Sequence, residues 1–425
     1  MIGARTKERA SGTFPDYPLA SEGTGHIMRS AFFGGRARNG RPVHLKELNT
    51  LVVLETLRGR GAISRADVAR ETGISAPTVS KIVERLLDAR LVLEEGTGAS
   101  NGGKRPTLLH FNARFGHVLG IDLGGTHLRV AVARLDGTIL DQTMEEIDQS
   151  SGPDAILSRI TEVGMRALAA QSSSRAIAVT LATPGIVDVD RGVVVGARNL
   201  KGWKDVPVRR ALADRFESPV TIDNDVNLAA VGERWHGAGR GHDNVVFVSV
   251  GTGIGSGIII AGQVHRGAHF AAGEINSLPS GLRQDDGADI GLEDVASGPA
   301  IIRRAHALGV VLPHGATADA VFTLACAGEV TAAAVIAEAV HALAGGIAAL
   351  LAIADPCVVV IGGGVSRQGE ALLAPLRERL AKMVPLRARV LRSELGVDAQ
   401  LHGAVFAALR LADQSLMALG RSAGT

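Results

Sequence analysis

A chain of 425 residues with 46% hydrophobic and 21% charged side chains can bury real cores, which excludes wholesale disorder, and its length predicts about three folding units. Its two cysteines, Cys326 and Cys357, stand alone without a CxxC, which excludes a disulfide framework and a cysteine-rich zinc site and fits a reducing cytoplasm. The net charge of +2 hides an asymmetry: residues 1–111 carry 17 basic and 11 acidic side chains and residues 112–425 carry 28 and 32, so a basic front joins an acidic body and the two are expected to meet different partners.

Residues 1–43 are rich in Gly, Arg, Ser and Pro, show no periodicity and read as a flexible basic tail. Arg5, Lys7 and Arg9 have no apolar run behind them, so no signal peptide is expected. Residues 44–111 carry a compact pattern. Leu48, Leu51, Val52, Leu54 and Leu57 predict a first amphipathic helix. Ser64 then caps a short helix from Arg65 to Glu71, and Gly73 breaks it. Ser75 caps a third helix with Pro77 in its first turn. Val79, Ile82, Val83, Leu86 and Leu87 share one face of it, and Thr78, Lys81, Arg85 and Asp88 another, with Ser80 beside them. Leu91–Glu95 and Thr107–Phe111 read as strands around the tip GTGASNGGKRP.

This order is that of a winged helix-turn-helix, although an anonymous three-helix bundle shares its first part. The polar third helix and the basic tip favour DNA. Ser75, Thr78, Ser80, Lys81 and Arg85 belong to the helix that would meet base edges or phosphates in the major groove. Ser64 and Arg65 sit at a helix start that suits phosphate, and Lys104 and Arg105 suit a minor groove.

Residues 112–425 repeat a strand running into a glycine turn. His117–Asp122 enters Gly124, Gly125 and Thr126 and is followed by the strand Leu128–Ala133. Val245–Val250 enters Gly251, Thr252 and Gly253, and Val358–Ile361 enters Gly362, Gly363 and Gly364. Long helices separate them, including 332–354, which gives an α/β pattern. Residues 245–264 are uncharged and long enough to span a bilayer, but five glycines make strand, turn, strand the better reading, and no membrane partner is expected. Glycine turns at strand ends cradle phosphate. Neither GxxxxGK[ST] nor GxGxxG is present, which excludes a P-loop and argues against a Rossmann site.

Between the first two turns lie Pro184-Gly185, Asn199 to Trp203, and Asp223-Asn224-Asp225-Val226-Asn227, the last opening a helix after the strand Val220–Ile222. Two carboxylates and two amides at one junction suit a polyhydroxyl ligand and supply a candidate general base. The plainer reading is a helix cap with acidic first-turn residues.

Taken together, SRADVARETGISAPTVSKIVERLLDARLV and SNGGKRP in the front, with DLGGT (122–126), NLKGW (199–203), DNDVN (223–227), GTGIGSG (251–257), AGEI (272–275), LED (292–294) and IGGG (361–364) behind, resemble the transcriptional regulators of the ROK family of repressors, open reading frames and sugar kinases. The resemblance covers about 44–415. It implies an α/β body of two lobes, actin-like and sugar-kinase-like (ribonuclease H-like), behind the winged helix. It also implies sugar bound by Gly185, Asn199, Asn224, Asp225, Glu274 and Glu293, with Asp225 as the catalytic base. ATP, with Mg²⁺, would be held by Asp122, Gly124, Gly125, Thr126, Gly251, Thr252, Gly253, Gly362, Gly363 and Gly364. Three departures stand out. The family's GEIGH reads Gly273-Glu274-Ile275-Asn276-Ser277, with Ser277 at the histidine position. The zinc loop reads Gly281 to Gly291 with no cysteine, so no structural zinc is expected. The Lys that often follows DLGGT is His127. The lost histidine leaves the sugar's identity open.

The expectation is a sugar-responsive transcriptional regulator, a repressor of carbohydrate-metabolism genes in the cytoplasm. It would bind operator DNA and a sugar or sugar derivative as a homodimer or dimer of dimers. The alternative is an ATP-dependent kinase of a hexose or derivative, and a third reading is a regulator whose body binds nothing.

Overall fold

The computed structural model describes residues 42–97, 105–283, 289–385 and 388–422. The tail up to residue 41, the wing tip 98–104 with Lys104, and residues 284–288 of the loop expected in place of the zinc segment lie outside the described residues.

Helix α1 spans Pro42–Arg60, longer than its apolar pattern at both ends. It is followed by strand β1 (Ile63–Ser64), helix α2 (Arg65–Thr72) and helix α3 (Ala76–Asp88). The Ser64 hydroxyl accepts from the Asp67 amide at 3.2 Å and starts α2. Gly73 ends it at φ 68°, a left-handed conformation that costs glycine little. Ser75 sits at the start of α3 without a side-chain cap bond; its hydroxyl pairs with that of Thr78 at 2.8 Å instead, which corrects the expected cap. Leu54 and Leu57 of α1, Val68 of α2 and Val79, Ile82 and Val83 of α3 are buried together. Strands β2 (Val92–Thr97) and β3 (Thr107–Phe111) pair antiparallel, and β1 adds to the other side of β3, completing a winged helix-turn-helix.

The body has two lobes, each a five-stranded sheet with helices on both faces. In the first, β4 (His117–Leu123), β5 (His127–Arg134), β6 (Ile139–Glu146), β7 (Ala178–Thr183) and β11 (Val220–Asn224) run in the order β11-β7-β4-β5-β6. β4 pairs antiparallel with β5 and parallel with β7, which pairs parallel with β11. Alternate residues of β4 divide between the faces. Leu119, Ile121 and Leu123 bury against helix α4 (Pro153–Ala170), whereas Val118 packs with the last helix, α12 (Ala399–Ser422). A small antiparallel sheet of β8 (Ile186–Asp188), β9 (Val193–Gly196) and β10 (Lys204–Val206) extends this lobe, followed by helix α5 (Val208–Phe216).

In the second lobe, β12 (Val245–Val250), β13 (Ile254–Ile260), β14 (Gln263–Val264), β17 (Val358–Gly362) and β18 (Arg389–Arg392) run in the order β14-β13-β12-β17-β18. Residues 245–264, uncharged and long enough for a span, are therefore two strands, a glycine turn and a short return. One face packs on helix α6 (Asp225–His236) through Val245 and Phe247. The other packs, through Val246 and Val248, on a group that includes α7 (Leu292–Ala296), α8 (Gly298–Ala307), α9 (Ala318–Cys326), α10 (Val330–Ala354) and α11 (Glu370–Met383). A two-stranded ribbon, β15 (Pro279–Arg283) and β16 (Asp289–Gly291), precedes α7. Among the described residues α10 is the helix long and apolar enough to cross a membrane, and its Val335, Leu343, Ile347 and Leu351 are buried in this core.

Helices α6 and α12 carry the chain between the lobes, α6 after β11 and α12 after β18, and they pack on each other closely. A Cβ added to Gly403 would stand 1.8 Å from the Leu228 carbonyl oxygen, and one on Gly232 would stand 2.2 Å from that of Ala399.

Candidate ligand cleft and DNA-facing helix

Between the lobes, where the ends of β4, β11, β12 and β17 converge, lies a cleft of about 1440 Å³. Gly185, Asn199, Asn224, Asp225, Glu274 and Glu293, expected to hold sugar, all line it. So do Asp122, Gly124, Gly125, Thr126, Gly251, Thr252, Gly253, Gly363 and Gly364, expected to hold nucleotide. Gly362 does not. It is the buried last residue of β17, and a Cβ there would stand 2.3 Å from the Phe247 ring, so its expected phosphate role is corrected to a packing one.

The DNDVN cluster divides by strand geometry. Asp223 and Asn227 turn inward: Asp223 accepts from Arg266 Nε at 3.1 Å and from Asn227 Nδ2 at 3.2 Å, and both are buried. Asn224 caps α6, accepting from the Val226 and Asn227 amides at 2.9 and 3.1 Å, and donates to the Gly185 carbonyl at 2.9 Å. Its cap role is thus the plainer reading realised, on a residue that also faces the cleft. Gly185 has φ 92°, and a Cβ there would stand 2.1 Å from the Gly196 oxygen, so only glycine fits. Asp225, the first residue of α6, presents its carboxylate to the cleft, with Oδ1 accepting from the Val226 amide at 2.9 Å.

The carboxylates are electrostatically strained. Burial, with the nearby Asp225 charge second, pushes Asp122 up to about 7 despite Arg129. Burial raises Asp225 to about 6, with Glu274 adding to the rise. Burial also raises Glu274, which the Arg198 cation opposes and Glu293 reinforces. Glu293 belongs to both ends of the cleft. Its Oε2 accepts from the Ile254 amide at 2.8 Å and lies 2.7 Å from where a Gly253 Cβ would be. The first turn closes through Gly124 N donating to the His127 oxygen at 2.8 Å, and Thr126 Oγ1 pairs with His127 Nδ1 at 2.7 Å. The Gly364 turn has open space where a Cβ would be. Of the turn glycines, Gly364 is the one with no heavy atom within 4 Å of an added Cβ, so a phosphate group fits at that turn, whereas the Gly124 and Gly251 amides already donate to the His127 and Gly253 oxygens. Among the described residues, no group of three His, Cys, Asp or Glu could hold a metal ion. Asn276, not Ser277, lines the cleft at the altered GEINS segment.

Sequence patterns missed Arg129, Arg198, Lys204 and Gln400, which also line the cleft. Arg198 adjoins Asn199 and was within reach of the motif. Gln400 comes from the first turn of α12, far along the chain, and no spacing points to it.

On the DNA side, Lys81 and Arg85 are exposed on α3, and Thr78 and Ser80 are half-buried. Arg105 is exposed at the base of the wing. Ser64 is buried and bonded to Asp67 Oδ2 at 2.6 Å as well as capping α2, so its expected phosphate contact is corrected to a structural role. Arg65 pairs with Glu94 at 2.9 Å.

The ROK family model matches residues 118–410, and the MarR family model matches residues 47–99. The xylose repressor of Caldicellulosiruptor bescii is 31% identical over 355 residues, covering 80% of this chain and 88% of that protein. The glucokinase of Thermotoga maritima is 34% identical over 281 residues, 63% of this chain and 88% of that one. The crystal structure of a ROK family transcriptional regulator, a homologue of the E. coli MLC protein, superposes with a TM-score of 0.76 at 26% identity, covering 89% of this chain and 100% of that one. A ROK family glucokinase from Streptomyces griseus, solved with glucose and AMPPNP, gives 0.57 at 30% identity over 69% of this chain and 100% of that one.

Proposed function

Because this chain belongs to the ROK family and carries a MarR-type winged helix ahead of the family domain, we propose that it is a sugar-responsive DNA-binding repressor. The observation that carries the reading is the pairing, in one chain, of an exposed polar face on α3 with a cleft that gathers Asn224, Asp225, Glu274 and Glu293. A plain kinase has no use for the first feature. The similarity to xylose repressors and glucokinases supports a monosaccharide of pentose or hexose size as the ligand.

In this reading the unit 44–111 binds operator DNA and 112–425 senses sugar. Thr78, Ser80, Lys81 and Arg85 enter the major groove, with Arg65 on phosphate and Lys104 and Arg105 at the minor groove. Asn199, Asn224, Asp225, Glu274 and Glu293 bind sugar hydroxyls, and Gly185 shapes the floor. Sugar binds the DNA-competent and DNA-incompetent states unequally, which is what lets it move one toward the other. Two chains reading two half-sites act as a dimer in the cytoplasm. The test is a thermal-shift screen of the full chain against D-xylose, D-glucose, their phosphates and ATP. A true ligand at about 100 times its dissociation constant adds roughly 2.7 kcal/mol, and a flat response to every sugar sinks the reading.

A second reading, a working sugar kinase, is favoured by the cleft-facing Asp225 in a cleft that also holds the open turn at Gly364. ATP and Mg²⁺ would lie against Asp122, the turns at Gly124–Thr126 and Gly251–Gly253, and Gly363–Gly364, and would supply the phosphoryl group and charge neutralisation. Asp225 would take the proton from the attacking hydroxyl. Asp225→Asn then abolishes sugar-dependent ATP turnover, and unchanged turnover would assign the base elsewhere. Structural zinc is absent from the proposal; metal analysis finding one zinc per chain would contradict it.

A further inference from the structure

The apolar core of the winged helix does not end at the winged helix. Leu54, Val83, Leu109 and Phe111 share one buried cluster with Val405, Leu409, Ala412 and Leu416 of α12. Set in this contact are four charges. Arg58 of α1 donates through Nη1 to Glu55 Oε1 at 2.7 Å and to Asp413 Oδ2 at 3.2 Å, while its Nη2 bonds Asp413 Oδ1. Arg410 donates to the same Glu55 oxygen at 2.8 Å and stands 3.6 Å from Asp413. The side chains of Arg58 and Asp413 are only 12% and 2% exposed. The Arg58 guanidinium lies 4.9 Å from the centre of the Phe111 ring at the end of β3.

The other end of α12 is at the ligand. Gly396, Val397 and Gln400 line the cleft. Arg129, also in the cleft, bonds the Val397 carbonyl and stands 3.7 Å from Asp398. The buried Glu233 of α6, the helix that begins at Asp225, accepts from the Leu395 amide at 3.0 Å and from the Ser393 hydroxyl. Further along, Val405 presses on Gly120, two residues before Asp122, where a Cβ would stand 2.6 Å from its Cγ2. Asp413 follows about 21 Å beyond Ala399 at the rise of an α-helix. One rigid helix therefore touches the cleft with its first turn, the partner helix of the cleft base along its side, and the DNA-reading unit with its last turns.

A buried ion cluster of this kind adds little net stability over apolar packing, but its bonds allow one arrangement only. We propose that Glu55, Arg58, Arg410 and Asp413 are positioning residues that lock the DNA-reading unit to α12, and that α12 carries the state of the cleft to the DNA. The inference rests on the sugar-repressor reading and names the part that transmits its signal. Cleft closure displaces the 396–400 segment, α12 shifts as a body, and the bidentate Arg58–Asp413 pair obliges α1 and the wing to follow.

The test uses the full chain with Asp413→Asn, and Asp214→Asn as a control that breaks an exposed ion pair (75% exposed side chain) elsewhere. The readouts are the sugar dissociation constant and the ratio of operator dissociation constants with and without D-xylose or D-glucose. The control keeps the parent's ratio. Asp413→Asn keeps the sugar constant within about twofold while its ratio falls toward 1, against the ~5-fold or greater ratio typical of allosteric coupling in the parent. A parent-like ratio in Asp413→Asn overturns the proposal, as does loss of sugar binding together with the response. If Asp413→Asn does not melt cooperatively, Arg410→Gln is judged by the same ratio. A parent whose operator affinity ignores both sugars fails the underlying reading, and that failure is visible before any variant is made.

Discussion

At the scale of single residues, the cleft trades stability for readiness. Asp122 is buried and Asp225 half-buried, near enough for their charges to interact, and their carboxyls are held above the ordinary value of 3.8, at about 7 and about 6. A folded-state pKa above the unfolded one contributes stability that is complete below the unfolded pKa and is lost as pH rises through the folded one. The parent therefore loses stability between about pH 4 and pH 7 on account of these groups. Asp122→Asn removes the larger part: its melting temperature exceeds the parent's at pH 8, and the gap closes toward pH 4.5. An equal gap at both pH values would show that Asp122 titrates normally. In the kinase reading turnover rises through pH 6, because Asp225 accepts a proton only when ionised. The motif DNDVN illustrates what a sequence conveys at this scale. Residue types announced a polar junction, but which of them face the ligand depends on Arg266 reaching Asp223 from 43 positions away.

At the scale of elements, the period of apolar residues predicted α3 and the paired strands closely, and the glycine turns fell where strands end. The pairing of α6 with α12 had no such signal, because it rests on two glycines in helices far apart in sequence. Gly403→Ala puts a methyl 1.8 Å from the Leu228 oxygen, so it destabilises by about 1–3 kcal/mol or more, read from urea unfolding. Wild-type stability in that variant would mean the helices separate freely. The exposed face of α3 answers to a different test. Lys81→Ala weakens operator binding, and if Lys81 meets phosphate the slope of log affinity against log salt falls by about 1 while sequence preference stays. A change in preference with the slope intact would assign Lys81 to a base edge.

At the scale of the whole molecule, the charge asymmetry of the sequence becomes a division of labour. A basic front carries α3, and an acidic body carries the carboxylates of the cleft, the two joined through α12. The two-part architecture was legible from motifs, whereas the joint was not: Arg58 and Asp413 lie 355 positions apart and meet only in the fold. The central claim is that sugar in the cleft governs DNA binding by the front. It is tested most directly by fluorescence anisotropy of the full chain on the DNA upstream of its own reading frame, titrated with and without D-xylose and D-glucose. The account predicts specific binding whose dissociation constant changes by about 5-fold or more with at least one of these sugars. Identical binding curves with and without either sugar would contradict it.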